Sequence, residues 1–402
     1  MLRQSNLSRH LDWRIPTSVF YRKIVLLLCR TCSYRYVNSP HTRDDIYANG
    51  QTAPLPKATL GLKPGQLLRC VSGELGLRSW AESQGHELIV TSDNDGPDSE
   101  FDKYLPEAEV VISQPFWPAY LTKERIAKAY NLKLALTAGI GSDHVDLDAA
   151  AKAGITVAEV TGSNSISMAE HVVMMELSLV RNYLPAHQIS VDGGWNIADC
   201  VTRSYDVEGM HFGTIGAGRI GLAVLRRLKA FDMPLHYSQR HRLASAIEEE
   251  LGLTYHPDAG SLARSVDIVN LQVPLYLSTE HFFNQKMISE TKRGSYLINT
   301  ARAQLVDRDA VVNALKSGHL AGYAGDVWYP QPAPATHPWR TMPWNGMTPH
   351  MSGSSLSAQA RYAAGTLEIL ESFLGNLPIR EEYLSVDRGQ LGETGAKSYQ
   401  LN

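Results

Sequence analysis

The chain has 402 residues, a length at which one hydrophobic core usually gives way to two, so we expect two domains. Its formal charge of −3 at pH 7 gives no bias toward polyanions. The longest apolar run, Ile24 to Cys29, is far shorter than the roughly 20 residues that cross a bilayer. We therefore expect a soluble protein with neither a nucleic-acid nor a membrane partner.

The cysteines and the N-terminal segment bear on the compartment. Four cysteines, at positions 29, 32, 70 and 200, are too few for a disulfide framework and favour a reducing environment. Cys29 and Cys32 form a CxxC pair, but no second pair of ligands follows, so no metal site is expected. Residues 1–23 are rich in Arg and Ser and nearly free of acids. We expect a cytoplasmic protein, with a mitochondrial location as the alternative if residues 1–23 are a transit peptide.

The first half of the chain alternates between strand and helix patterns. The run KIVLLL, from Lys23 to Leu28, predicts a first strand, and a turn-rich stretch to about Lys63 follows. Further strands are predicted at ELIVTSD, EVVISQ, KLALTAG and TVAEV, with helical stretches such as LTKERIAKAY between them. This alternation indicates a parallel α/β architecture.

The second half repeats the alternation after a long helix. That helix is predicted from Ser165 to Tyr183, after the turn TGSN, where it could connect two domains. The strands GMHFGTIG, HYSQ, DIVNLQV, SYLINT and AGYAGDVW follow. After His350 we expect the helix SSLSAQARYAAGTLEILESFL and then a polar tail. The sequence therefore predicts two doubly wound parallel sheets.

A glycine motif lies between a predicted strand and a predicted helix. Gly216, Gly218 and Gly221 form a G-x-G-x-x-G directly after MHFGTI and directly before GLAVLRRLKAF. The first glycine permits a tight turn, the second lets backbone approach a pyrophosphate, and the third lets helix pack on strand. This placement predicts a dinucleotide site. A glycine-rich turn without a ligand is the simpler alternative.

Several longer stretches then carry a specific resemblance. They are SQPFWPAYLTKERIAKA, LTAGIGSDHVDL, NSISMAEHVV, GAGRIGLAVLRRL, NTARAQLVDRDAV, GYAGDVWYPQPAP and HPWRTMPWNGMTPH. Together they resemble the NAD(P)-dependent formate dehydrogenases, the formate branch of the D-2-hydroxyacid dehydrogenase superfamily. The resemblance covers the chain from about Gly50 to the C-terminus.

That family has two Rossmann-like domains, with the cofactor domain inserted into a discontinuous substrate domain. The resemblance implies a dinucleotide domain at 165–351 and a substrate domain formed by 1–164 and 352–402. It also implies oxidation of formate to carbon dioxide by direct hydride transfer, no metal, and a homodimer with residues 165–195 as a candidate interface.

The resemblance assigns residues to formate. Arg302 follows the strand SYLINT at its carboxyl end, where open sheets bind ligands, and its planar fork of donors suits a carboxylate. Asn164 would donate its amide to the other formate oxygen, although Asn also serves well as a helix cap before Ser165. Ile140 would offer its backbone N–H, while Pro115 and Phe116 would form the wall of the site.

His350 and Gln331 separate this branch from its relatives. In the 2-hydroxyacid branch a glutamate pairs with the histidine and raises its pKa, which supplies the proton for carbonyl reduction. Gln331 takes the place of that glutamate, and formate oxidation needs no proton transfer. We therefore expect the pair to orient the substrate electrostatically. A buried structural histidine is the simpler interpretation of His350.

The resemblance also implies the residues that hold the cofactor. They would contact the pyrophosphate, the adenosine and the nicotinamide, where Asp326 would fix the carboxamide. Beyond the three glycines they are Ser165, Arg219, Ile220, Pro274, Thr300, Asp326, His350, Ser352 and Gly353.

Cofactor choice depends on position 239. NAD-specific members carry an aspartate there that repels a 2′-phosphate, whereas this chain has Gln239. With Gln239, Arg240, Lys397 and Ser398 near the phosphate, NADP is expected to be accepted or preferred, with NAD as the alternative. Arg240 and Arg242 could instead be ordinary solvated side chains. Two other functions stay open: a D-2-hydroxyacid dehydrogenase or 2-ketoacid reductase, and a non-catalytic, dinucleotide-sensing corepressor-like protein.

Overall fold

A computed structural model describes seven stretches of the chain: 23–27, 77–91, 93–94, 96–114, 120–276, 278–331 and 333–391. The segment 1–23, on which the alternative mitochondrial location depends, lies outside these stretches apart from Lys23, and so does the CxxC pair. So do Pro115, Phe116, Lys397 and Ser398.

The first sheet has seven strands in the order β14-β13-β5-β4-β3-β1-β2 within the described residues. Strands β1 to β5 are parallel, and the two strands near the C-terminus run antiparallel at one edge. The predicted first strand is confirmed between β2 and β3. The bounds are β1 Lys23–Leu27, β2 Glu87–Thr91, β3 Val110–Ser113, β4 Leu134–Thr137, β5 Thr156–Glu159, β13 Leu384–Asp387 and β14 Gln390–Leu391.

The second sheet also has seven described strands, in the order β12-β11-β10-β9-β6-β7-β8, and all of them are parallel. The order reverses at β6, which is the switch point of a doubly wound dinucleotide fold. The bounds are β6 Phe212–Ile215, β7 Leu235–Ser238, β8 Leu253–His256, β9 Ile268–Leu271, β10 Ser295–Asn299, β11 Leu320–Gly325 and β12 Asn345–Met347.

Helices cover both sheets and connect their strands. In chain order they are α1 Leu77–Ser83, α2 Glu100–Tyr104, α3 Lys123–Ile126, α4 Leu147–Lys152, α5 Ser165–Val180, α6 Tyr183–Val191, α7 Ile197–Val201, α8 Arg219–Leu228, α9 Ser245–Leu251, α10 Ala259–Ser265, α11 Gln285–Glu290, α12 Arg308–Lys316 and α13 Leu356–Leu374. Short 3₁₀ helices span Leu105–Glu107, Lys229–Phe231, Ala303–Leu305, Pro338–Arg340 and Glu381–Tyr383. No helix in the described stretches has the length and apolar character needed to cross a bilayer.

Many helices begin where a side chain caps the first turn. The carboxylates of Asp146 and Asp307 accept backbone N–H groups of α4 and α12, and the hydroxyl of Ser355 does the same for α13. A cap of this kind satisfies a donor that the helix itself leaves unpaired and stabilises the helix by about 1 kcal/mol. At these three helices the capping side chain marks where the loop ends and the helix starts.

Both sheets are buried on their two faces. Val110 and Ile112 of β3 pack into the core on one face of the first sheet, while Val111 packs into the core on the other. Ile268 and Val269 of β9 divide in the same way between the two faces of the second sheet. Parallel strands buried on both faces need such continuous apolar runs. The predicted fold class, two doubly wound α/β sheets, is confirmed, while the domain bounds stay a prediction.

Candidate functional site

A cleft lies where the carboxyl ends of strands from both sheets meet. It holds a cavity of about 230 Å³. The first sheet contributes the loops after β4 and β5, and the second contributes those after β6, β9, β10 and β12. The predicted residues that line the cavity are Ile140, Asn164, Ile220, Pro274, Thr300, Arg302, His350, Ser352 and Gly353. Ligands of open α/β sheets bind at this edge.

The glycine motif has the conformation that its spacing predicts. Gly216 has a φ of +97°, and a Cβ there would lie 2.5 Å from the carbonyl oxygen of Gln272. A Cβ on Gly221 would lie 2.1 Å from the carbonyl oxygen of Gly216, so helix α8 can approach the loop only without a side chain. Gly218 faces open space instead. The loop therefore leaves room for an anion at the N-terminus of α8.

Polar atoms around the cleft fit a polar ligand. In the described part of the protein, Asn164 Oδ1, Ser165 Oγ and Ser352 Oγ are buried and have no hydrogen-bond partner. Buried polar groups are rarely left unsatisfied unless a ligand or water completes them. These atoms lie at the start of α5 and in the loop after β12. The two hydroxyls could donate to an anionic group, whereas Asn164 Oδ1 needs a donor, such as the carboxamide NH₂ of a nicotinamide.

Asn164 occupies the N-cap position of α5, but its side chain makes no capping bond. The capping role that the sequence left open is therefore not filled by this amide. A Cβ on Gly353 would lie 2.6 Å from Asn164 Nδ2, so the amide packs directly against that glycine. Tyr362 Oη donates to the carbonyl of Gly353 at 2.5 Å and holds the same turn in place.

Arg302 extends into the cavity from the loop after β10 and forms an ion pair with Asp143. Its Nη2 donates to Asp143 Oδ1 at 2.5 Å, its Nε donates to Oδ2 at 3.2 Å, and its Nη1 donates to the carbonyl of Ala301 at 2.9 Å. Partial burial alone would raise the pKa of Asp143, but the Arg302 guanidinium holds it well below its usual value. The sequence prediction found Arg302 and missed Asp143.

The loop that carries Asp143 is held by a buried glutamate. Glu159, at the end of β5, accepts from the backbone N–H of Gly141 at 3.1 Å and from Ser142 Oγ at 2.8 Å. Burial raises the pKa of Glu159. Gly141 has a φ of +107°, and a Cβ there would lie 2.3 Å from Arg302 Nη2. Gly141 is thus required both by its backbone and by the guanidinium beside it.

His350 and Gln331 are in contact. The Nδ1 atom of His350 lies 2.9 Å from Gln331 Oε1, and because an amide oxygen can only accept, Nδ1 carries the proton. Burial lowers the pKa of His350. The imidazole is therefore neutral near pH 7. His350 has a φ of +57°, in the left-handed region, so the turn that points its ring into the cleft is strained.

Asp326 follows β11 and holds the loop after β12. Its carboxylate accepts from the backbone N–H groups of Met351 at 2.8 Å and Ser352 at 2.7 Å. Thr348 Oγ1 donates to it at 2.5 Å and lies 3.1 Å from His171 Nε2. Asp326 does not line the cavity, so its expected bond to the carboxamide stays a prediction.

Of the residues that follow β7, Gln239 and Arg242 are bound to other residues of the protein, whereas Arg240 extends from the surface. Gln239 Oε1 accepts from the backbone N–H of Ala217 at 3.2 Å, and its Nε2 donates to the carbonyl of His241 at 2.6 Å. Arg242 is bound by Glu248 at 2.8 Å. Arg240 is exposed and forms no ion pair with any described residue. Gln239 therefore connects the glycine loop to residues 240–242.

Arg219 forms an ion pair between the two halves of the molecule. Its Nη2 donates to Glu382 Oε2 at 3.1 Å, which links the start of α8 to the C-terminal segment of the first sheet. Its expected contact with a pyrophosphate stays a prediction. Thr300 Oγ1 accepts from Gln272 Nε2 at 2.6 Å, beside Arg302. In the described residues, no group of three or more His, Cys, Asp or Glu side chains is arranged to hold a metal ion.

Comparisons with known proteins agree with this geometry. The NAD binding domain of the D-isomer specific 2-hydroxyacid dehydrogenases matches residues 173–352. The formate dehydrogenase of Pseudomonas sp. (strain 101) is 64% identical over 364 residues, which cover 89% of this chain and 90% of the relative.

Solved structures of formate dehydrogenases are also similar to this chain. The formate dehydrogenase of Granulicella M. is 64% identical, with a TM-score of 0.84 over 92% of this chain and 100% of the other. The NAD-dependent formate dehydrogenase of Staphylococcus aureus, in complex with NAD, is 42% identical, with a TM-score of 0.74 over 90% of this chain and 99% of the other. With its dinucleotide loop and an arginine at the carboxyl end of β10, the chain belongs to the formate dehydrogenase family of the D-2-hydroxyacid dehydrogenase superfamily.

Proposed function

We propose that this protein oxidises formate to carbon dioxide by transferring hydride to a nicotinamide cofactor. The observation that carries the proposal is one small cavity that brings together Arg302, Asn164 and His350 beside the glycine loop. A guanidinium and an amide at this place suit the two oxygens of a small carboxylate. Relatives that share 64% of the sequence are named formate dehydrogenases.

The side chains orient the reactants. Arg302 binds one formate oxygen, and the Asn164 amide donates to the other. One C–H bond of formate breaks, its electron pair leaves as hydride, and the carbon becomes linear carbon dioxide, so no proton moves. When bound, the cofactor supplies the oxidised ring that accepts the hydride. The neutral His350 fits this scheme, because it offers a fixed dipole rather than a proton. Orientation and exclusion of water then provide most of the acceleration.

The test is a formate-dependent rise in absorbance at the reduced-nicotinamide band. Arg302→Ala should abolish the rise and leave cofactor binding largely intact, measured by calorimetry, because the substituted residue faces the carboxylate. Full activity in Arg302→Ala would contradict the assignment. Lactate, glycerate and glyoxylate test the hydroxyacid alternative, and cofactor binding without turnover of any of them would indicate a sensing protein.

We also propose that NADP is accepted or preferred. A carboxylate about 5 Å from a phosphate would cost roughly 3 kcal/mol per unit charge at an effective dielectric of about 20, and Gln239 removes that repulsion. Arg240, without an ion pair to any described residue, has its charge available for a 2′-phosphate, whereas Glu248 neutralises Arg242. Lys397 and Ser398, outside the described residues, are proposed to contact the same phosphate.

The cofactor proposal is tested by kcat/KM for both cofactors in four proteins. Gln239→Asp should move the ratio toward NAD, and Arg240→Ala should lower kcat/KM for NADP more than for NAD. Arg242→Ala is the matched control, since its charge is already paired, and should leave the ratio nearly unchanged. A native enzyme that prefers NAD tenfold or more, or an unmoved ratio in Gln239→Asp, would show that position 239 does not read the phosphate.

We propose further that the protein is a homodimer. Helices α6 and α7 have no buried residues, yet they carry Tyr183, Val191, Ile197 and Val201, and the loop between them carries Trp195. A helical arm that buries none of its apolar side chains needs a partner to cover it. A second copy of the chain could bury both arms at once, because a twofold interface uses the same patch on each subunit.

A further inference from the structure

The Arg302–Asp143 ion pair joins the two sheets across the cleft. Arg302 follows β10 of the second sheet and Asp143 follows β4 of the first, 159 residues apart in sequence. Two parallel hydrogen bonds connect Nε and Nη2 to the two carboxylate oxygens, a planar geometry that fixes direction as well as distance. About 26% of the Arg302 side chain and 35% of the Asp143 side chain remain exposed, so the pair lies at the solvent boundary of the cavity.

The residues on either side of Asp143 are anchored. Ser142 Oγ donates to Glu159, while His144 Nε2 lies 2.6 Å from Ser113 Oγ at the end of β3. His144 is buried, and burial lowers its pKa to about 4, so it stays neutral near pH 7. The loop that carries Asp143 is therefore anchored to β5 and β3, the two strands that flank β4 in the first sheet.

Arg302 is confined by this rigid loop. Its guanidinium lies against Gly141, where a methyl group would collide with Nη2, and the carbonyl of Ala301 holds Nη1 from the other side. Asp143 occupies the edge formed by Nε and Nη2. A carboxylate substrate that reached the same edge would have to displace a carboxylate already fixed there, so formate meets the edge formed by Nη1 and Nη2.

We propose that Asp143 is a positioning residue for formate oxidation, which directs one edge of the Arg302 guanidinium at the substrate and ties the two sides of the cleft together. The inference rests on the proposed function. Asp143 itself touches neither reactant in this scheme. Its effect on turnover comes from orientation, because a misplacement of about 1 Å in a reacting group can cost roughly a hundredfold in rate.

The negative charge of Asp143 has a second effect, opposite in sign. It partly neutralises Arg302 and repels an incoming carboxylate, so it weakens anion binding while it improves orientation. Removal of the charge should therefore lower kcat and tighten the binding of anions. General damage to the fold would lower kcat and weaken binding together. Measuring both kcat and the affinity for anions therefore separates a positioning role from a structural one.

The experiment compares the native enzyme with Asp143→Asn and Asp143→Glu. We expect Asp143→Asn to lower kcat at least about tenfold, while KM for formate does not rise and inhibition by acetate becomes stronger. The isotope effect on kcat with deuterated formate should be kept or increased, because the C–H step has been slowed. Asp143→Glu keeps the charge but moves it by one methylene, so kcat should lie between the other two, with KM near the native value.

Asp309→Asn is the matched control. Asp309 also binds an arginine through two hydrogen bonds, 2.8 and 3.1 Å from Arg308, but on the exposed face of α12. Its kinetics should equal those of the native enzyme. The inference is overturned if Asp143→Asn has the same kcat and KM as Asp309→Asn. It is also overturned if Asp143→Asn has a higher KM for formate together with a lower melting temperature. If Asp143→Asn does not fold, Asp143→Glu alone decides by its kcat. A native protein inactive on formate would instead refute the proposed function.

Discussion

At the scale of single residues, the state of His350 depends on a neutral neighbour. Gln331 Oε1 accepts the Nδ1 proton at 2.9 Å, and burial keeps the pKa of His350 below its ordinary value. A carboxylate in place of the amide would favour the charged imidazolium and raise that pKa. The amide and the burial together therefore keep the imidazole of His350 neutral beside the proposed formate site.

Gln331→Glu tests this interpretation. Because the new carboxylate raises the pKa of His350, the imidazolium persists to higher pH, and the acid limb of the kcat/KM profile for formate should move upward in pH. Gln331→Leu removes the contact without adding charge and should not move the limb upward. A profile for Gln331→Glu that superimposes on the native one would mean that the two side chains are not in contact in solution.

Local sequence could indicate the residues of the site that follow strands, but not their partners. Arg302 and the three glycines were found because each follows a strand that its apolar run predicts. Asp143 was missed because the partner that gives it a role lies 159 residues away. Glu159 was missed for a related reason, since only the fold brings it under the loop that it holds. Aspartate beside glycine and serine predicts a turn, and nothing local separates that from a role in orientation.

At the scale of elements, helix α5 contains a carboxyl group in an apolar setting. Glu176 is 1% exposed, and neither of its oxygens has a hydrogen-bond partner within the described residues. Burial raises its pKa from 4.5 to about 8. It is therefore largely protonated near pH 7, and the helix packs as if it carried a neutral polar residue at this position.

Glu176→Gln should make the protein more stable at high pH. Above about pH 4.5 the unfolded chain releases the Glu176 proton, whereas the folded protein keeps it until about pH 8. The free energy of unfolding of the native protein is therefore highest below about pH 4.5 and falls as the pH rises to about 8. That loss is roughly 3 kcal/mol at pH 7 and levels off at about 5 kcal/mol above pH 8. In urea unfolding, the advantage of the variant should grow from pH 5 to pH 8. Glu371→Gln, exposed on α13, is the control and should show no such growth. If the difference in free energy of unfolding between Glu176→Gln and the native protein stayed constant from pH 5 to pH 8, the raised pKa of Glu176 would be contradicted.

The positions where helices end were harder to predict than the helices themselves. The predicted helix from Ser165 to Tyr183 ends at Val180, because Asn182 takes a left-handed conformation with a φ of +53° and a new helix then begins. The pattern LTKERIAKAY gives only the single turn Lys123–Ile126, since its backbone then turns through i to i+3 bonds. The predicted polar tail supplies β13 and β14. Strand β13 pairs with β5, a contact distant in sequence, and β14 pairs with β13.

At the scale of the whole molecule, the arm formed by α6 and α7 predicts the assembly. Trp195 is 87% exposed and Ile197 is 67% exposed. Light scattering coupled to size exclusion should give twice the 44.4 kDa of a single chain. The double variant Trp195→Glu with Ile197→Glu should shift the protein to the monomer mass, because it places charge in the shared apolar patch.

Tyr130→Glu controls for the loss of an exposed aromatic residue. Tyr130 is 79% exposed and lies in the connection between α3 and β4, outside helices α6 and α7. This variant should keep the native mass. A native protein that elutes as a monomer, or an arm variant that keeps the dimer mass, would show that the arm is not the interface.

The antiparallel strand β13 has a consequence for synthesis on the ribosome. All strands of the second sheet lie between Phe212 and Met347, whereas the first sheet is closed by Leu384–Asp387. After Met347 has been added, 40 more residues must be made before β13 is complete at Asp387. At about 5 to 20 residues per second, their synthesis takes roughly 2 to 8 s. During that interval the nascent chain exposes the unpaired edge of β5 and the apolar face that α13 later covers, so the half of the protein made first is the half that folds last.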